Sequence, residues 1–141
     1  RVKRRAGPST KRRTAPEPGR QARAAAIAAA RAADEKLAER TVVLDVRGIT
    51  PVADFMVIAT ASTGPHLRAV AEAAEEAVAR AGGHLHHREG DARSPWILLD
   101  AHDVLVHVFD PAARRRYDLE RLWADAKRVP WKARATGRKA G

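Results

Sequence analysis

The spacing of apolar positions changes several times along the chain, and each change marks an element. Gln21 to Arg40 is rich in alanine, with Ile27 and Leu37 among its few larger apolar residues, and helix propensity alone predicts a helix there. Thr41–Val46 (TVVLDV) and Asp54–Ala61 (DFMVIATA) are nearly unbroken apolar runs, the pattern of strands covered on both faces; the turn at Gly48 and Pro51 separates them. Ser62 and Thr63 are candidate N-caps and Pro65 suits a first helical turn. From there Leu67, Val70, Ala71, Ala74, Ala77, Val78 and Ala81 follow the three-four spacing of one buried helix face, which Gly82-Gly83 ends. His84 to Arg88 predicts a short polar edge strand, and Glu89 to Pro95 a turn-rich loop. In Trp96–Asp100, Trp96, Leu98 and Asp100 share one face while Ile97 and Leu99 share the other. Val104–Phe109 is apolar almost throughout. Asp110 caps a helix starting at Pro111, and Asp118 a second short one carrying Leu119, Leu122, Trp123 and Ala126, before Pro130 ends regular structure. The order α-β-β-α-β-β-β-α predicts a single α/β (α+β) domain, a mixed five-stranded sheet flanked by helices.

Composition adds boundaries. At 141 residues the chain is long enough for one small core, and without cysteine it has neither disulfides nor thiolate metal sites. No apolar run reaches the roughly 20 residues of a membrane helix. The net charge of +10 is carried by the ends. Residues 1–23 hold nine Lys/Arg against one Glu, and residues 127–141 hold six with no acid, whereas residues 24–126 hold twelve basic and sixteen acidic residues. Residues 1–20 therefore read as a disordered basic extension, with an organellar transit peptide as the alternative. Residues 21–131 form the domain and 132–141 a basic tail. Such tails either touch RNA or phosphate nonspecifically, with Trp131 available for stacking, or are simply solvated.

Candidate chemistry is sparse. A nucleotidyl-transfer site needs a phosphate-holding Gly-Ser turn and paired carboxylates for divalent metal, but Ser62 and Gly64 have no such pair beside them, and Asp100 and Asp103 stand alone across a turn. His84, His86, His87 and His102 lack an acidic or thiolate companion at ligand spacing, so no metal site is expected. Ser62, His66 and Asp54 are better explained by a helix cap and a surface residue than by a nucleophile triad. His107 reads as a core histidine bonded to backbone, and Arg114, Arg115 and Arg116 as the solvated flank of a helix. Trp96 is the open question: a core anchor if buried, an interface hot spot if exposed beside Leu98. Ile97 and Leu99 already supply an inward face, which favours exposure. Tyr117, Leu119, Leu122 and Trp123 extend the same patch, although Trp123 serves equally well as a staple docking the last helix.

The segments WILLD, DVLVHVFDPAARRRYDLERLW and ADAKRVPW, together with the upstream VVLDVRGITPVADFMVIATASTGPHLRAVAEAAEE, occur in an order and spacing that resemble the ribosomal silencing factor family, also called Iojap-like proteins. The resemblance covers roughly residues 24 to 131. It implies a nucleotidyltransferase-like topology without the catalytic carboxylates, no enzymatic activity, no cofactor and no small-molecule substrate. The implied partner is the large ribosomal subunit, through its protein fourteen, on the face where the small subunit docks. Occupying that face would block subunit joining and repress translation; a role in large-subunit assembly is the alternative. In this picture Trp96 and Leu98 form the hydrophobic centre, flanked by Tyr117, Leu119, Leu122 and Trp123, while Asp100, Asp118 and Glu120 face a basic partner. The resemblance further implies a bacterial cytoplasmic protein, or an organellar one, that forms a homodimer when free.

Overall fold

The computed structural model describes residues 19–91 and 93–133, so most of the predicted basic extension and residues 134–141 of the predicted tail lie outside the described range. The elements are α1 (Arg20–Glu35), β1 (Glu39–Asp45), β2 (Phe55–Thr60), α2 (Gly64–Arg80), β3 (His87–Glu89), β4 (Trp96–Asp100), β5 (Val104–Phe109), α3 (Pro111–Tyr117), α4 (Leu119–Leu122) and β6 (Lys127–Arg128). They build one mixed sheet in the order β3-β4-β5-β2-β1-β6. Among the described strands only β2 and β5 run parallel, and α2 lies in the long connection that such a pair requires. The mixed α/β sheet is the expected one, with six strands rather than five. The sixth, β6, is two charged, exposed residues hydrogen-bonded to Leu44 and Asp45, too short and too polar to announce itself by period. No described helix is long and apolar enough to cross a membrane.

The two sheet faces are covered unequally. On one, Val43, Phe55, Val57, Ala59, Ile97, Leu99, Val104, Val106 and Val108 lie in the main core beneath α1 and α2. All six buried residues of α1 are alanines, at positions 22, 25, 26, 29, 30 and 33. Their spacing makes a flat stripe that lets the helix sit close to α2 and the sheet. Thr63, rather than Ser62, caps α2: its Oγ1 accepts the His66 N–H at 3.1 Å. Helix α1 stops at Glu35, earlier than predicted. Leu37 and Arg40 then adopt left-handed backbone (φ 64° and 53°), and the β1–β2 register shifts between Glu39 and Val42.

On the other face, Leu44, Val46, Ala53, Met56, Ile58, Phe109 and Ala113 form a smaller core. Among the described residues, only the short helices α3 and α4 and the loops beside them cover it. Asp110 starts α3 as predicted, its Oδ1 accepting the Ala113 N–H at 2.8 Å. Asp118 does not cap α4 with its side chain. It stands at φ 45° between the two helices, its N–H closing α3 on the Arg114 carbonyl. Gly90 (φ +93°) lets the loop after β3 lie against the Trp96 backbone, where a Cβ would collide with the Trp96 carbonyl oxygen.

Candidate functional site

The thinly covered face holds a slab of stacked rings. Within β4, Trp96 pairs with Phe109 of β5 and Leu98 with His107, so Trp96, Leu98, His107 and Phe109 share one side of the sheet. Trp96 sits 5.1 Å from the Phe109 ring and 4.8 Å from Tyr117, which α3 delivers from its last turn. Leu98 and Leu105 beside them are half-buried, while Tyr117 is 45% and Leu122 65% exposed. Among the described residues, no further layer covers this apolar and aromatic surface.

Trp96 itself occupies a middle position. The expectation of a solvent-facing ring is corrected: the residue is half-buried, and its Nε1–H donates to Nδ1 of His107 at 3.1 Å. His107 is 5% exposed and bonds to this indole rather than to backbone. Burial pushes its pKa down to about 4, so the imidazole is neutral. The Nε2 atom is buried without a hydrogen-bond partner among the described residues.

The expected solvated flank of α3 is also corrected at one position. Arg115 and Arg116 are exposed, but Arg114 is 4% exposed and works as a buried clamp. Its guanidinium donates to Thr60 Oγ1 at 2.8 Å, the Arg40 carbonyl at 2.7 Å and Glu120 Oε1 at 2.9 Å. Arg128 adds a looser contact with the other Glu120 oxygen at 3.5 Å. One cation thereby joins β2, the irregular start of β1 and α4. The Arg114 hydrogen bond holds the Glu120 carboxyl below its ordinary value, against the burial that raises it.

The other predicted residues fall around this frame. Leu119 and Trp123 pack on the smaller core, Trp123 as the staple, with its Nε1 buried and without a partner among the described residues. Asp118 is half-buried between α3 and α4. Asp100 lies four residues along β4 from Trp96, about 13 Å away on strand geometry, and its Oδ1 accepts the His102 N–H at 2.9 Å. The three acids are therefore not one cluster: Glu120 is engaged by Arg114, Asp100 closes a turn, and Asp118 alone borders Tyr117. Phe109, His107 and Arg114 are site residues that spacing did not single out.

Elsewhere the side chains serve the fold. His66 takes the Ser62 N–H on Nδ1 at 3.3 Å and meets the Lys36 carbonyl through Nε2 at 2.7 Å, so neither nitrogen is free to act as base toward Ser62. His86 and His102 rings lie 4.2 Å apart, and among the described residues no group of three or more His, Cys, Asp or Glu could hold a metal ion. Trp131 is half-buried, its Nε1–H donating to the Thr41 carbonyl at 3.1 Å while Arg31 binds its carbonyl at 2.7 Å. It holds the chain against β1 and α1 instead of offering a free ring for RNA.

Comparison with known proteins places this architecture. A family model described as "Ribosomal silencing factor during starvation" matches residues 19–140. Ribosomal silencing factor RsfS of Halalkalibacterium halodurans is 37% identical over 101 residues, spanning 72% of this chain and 86% of the relative. The protein of that name from Bacillus subtilis is 38% identical over 98 residues, spanning 70% and 83%. A crystal structure of a Chromobacterium violaceum protein superposes with a TM-score of 0.67 at 29% identity, covering 79% of this chain and 92% of that one.

Proposed function

The chain belongs to the ribosomal silencing factor family, and from that premise we propose that it docks on the large ribosomal subunit through protein fourteen and denies that face to the small subunit. Translation is repressed by occupancy, without catalysis, in the bacterial cytoplasm. The observation that supports a docking role is the ring slab of Trp96, Phe109 and Tyr117 on the sheet face that α3 and α4 leave partly open. Aromatic anchors of this kind dominate binding energy when a partner excludes water from them, and Leu98 and Leu105 supply the apolar surround. Asp118 beside Tyr117 offers negative charge for orientation toward a basic partner. Silencing of this kind is mass action: it requires the chain to exceed its dissociation constant, with no conformational switch. The same apolar face would serve a homodimer in the free protein, and added partner would then dissociate it.

The test is association in solution. Full-length protein should bind isolated protein fourteen, co-sediment with large subunits, and reduce the yield of joined ribosomes when mixed before small subunits are added. Trp96→Ala should weaken that association by about thirtyfold or more, the loss expected for a hot spot of about 2 kcal/mol, while circular dichroism stays that of the wild type. Undiminished co-sedimentation of Trp96→Ala would put the docking surface elsewhere.

A further inference from the structure

Building on the docking role proposed above, we infer that His107 is the positioning residue for Trp96: its Nδ1 draws the indole N–H inward, so that the ring offers only carbon to the partner. The partner's groove is then apolar and supplies no acceptor for an indole N–H. His107 stands in an otherwise apolar strand, Val106-His107-Val108-Phe109, at 5% exposure. Packing alone does not explain an imidazole there. A leucine of similar volume would fill the space without a polar nitrogen, and Nε2 is buried with no partner among the described residues. What the imidazole does is accept from Trp96 Nε1 at 3.1 Å, which requires Nδ1 to be unprotonated and the proton to sit on Nε2. Phe109 and Tyr117 flank the indole at 5.1 and 4.8 Å, but ring contacts of this kind tolerate either edge of the indole pointing inward. The hydrogen bond does not. It selects the orientation in which the N–H edge is spent inside the molecule.

Spectra of the 15N-labelled full chain test this directly, with the Trp96 indole resonance assigned by its loss in Trp96→Phe. In the wild type, His107 should show the Nε2–H tautomer. In His107→Leu the Trp96 indole proton should move upfield and exchange faster with water, and His107→Gln, whose amide oxygen accepts, should return it part of the way. Affinity for large subunits should fall about five- to tenfold in His107→Leu, the effect of one lost orienting hydrogen bond. Its thermal midpoint should stay at or above that of the wild type. A residue that only filled the core would lower the midpoint and leave the indole resonance in place. On a Trp96→Ala background, His107→Leu should cost no further affinity. An indole resonance indifferent to His107→Leu, or wild-type affinity in that variant, overturns the inference. Wild-type affinity in Trp96→Ala instead overturns the docking role, and the indole spectrum tells the two failures apart.

Discussion

Arg114→Ala is expected to lower the free energy of unfolding by about 3 to 5 kcal/mol, the usual consequence of removing one partner from a buried ion pair. The Arg114 side chain is 3% exposed and Glu120 is 19% exposed. Alanine would strand the Glu120 carboxylate, the Thr60 hydroxyl and the Arg40 carbonyl in a place water reaches poorly. Arg128 cannot take over, since its own contact with Glu120 is 3.5 Å long and its side chain is 65% exposed. Urea unfolding followed by circular dichroism measures the loss. Arg114→Lys should fall between alanine and the wild type, because an ammonium keeps the charge without the fork that reaches three acceptors at once. A loss within about 1 kcal/mol for alanine, the range of an exposed pair, would mean that the clamp contributes little. The functional consequence runs through α3 and α4. Both hang on this cation, and α3 carries Tyr117 to Trp96.

The legible parts of this fold are those where one physical signal dominates. Alternation in Trp96–Asp100 correctly sorted Ile97 and Leu99 into the main core and Trp96 toward the other face, because a strand between two layers has period two and no other option. The long apolar stripe of α2 and the Asp110 cap of α3 were equally visible. Two features were not. Strand β6 has no apolar signature; it is placed by Val129, whose N–H binds the Val43 carbonyl and whose side chain is buried. Arg114 looks like its neighbours Arg115 and Arg116, and two of its three partners lie 54 and 74 residues away, beyond any local pattern. The Trp96–His107 bond lies between these extremes. Pairing the two strands across the short turn at 101–103 sets Leu98 opposite His107, hence His107 diagonal to Trp96, so the neighbourhood was readable. Which atoms bond was not, since that depends on χ angles of two aromatic side chains.

Acidification is expected to destabilise the protein in a window set by His107. Its pKa is about 4 when folded and near 6.5 when unfolded, with burial as the cause. Between those values the unfolded chain takes up a proton that the native imidazole refuses, so unfolding becomes easier as pH falls. Stability from this group is complete above pH 6.5 and declines toward pH 4, for a total of about 3 kcal/mol. Glu120 acts at lower pH: its depressed pKa makes its contribution full above the ordinary carboxylate value and lost as pH falls through the folded one. The two are separable by substitution. Urea midpoints of the wild type should drop from pH 7 to pH 4.5, whereas those of His107→Leu should stay nearly level over the same interval and fall only further down. Parallel declines in the two proteins would show that another group controls the window. Protonated His107 has no lone pair left on Nδ1, so the native protein keeps the indole N–H bonded through this window and releases it only as pH falls through about 4. The Trp96 indole resonance of the folded protein should therefore hold its position from pH 7 to pH 5 while the urea midpoint is already falling, and move only near pH 4.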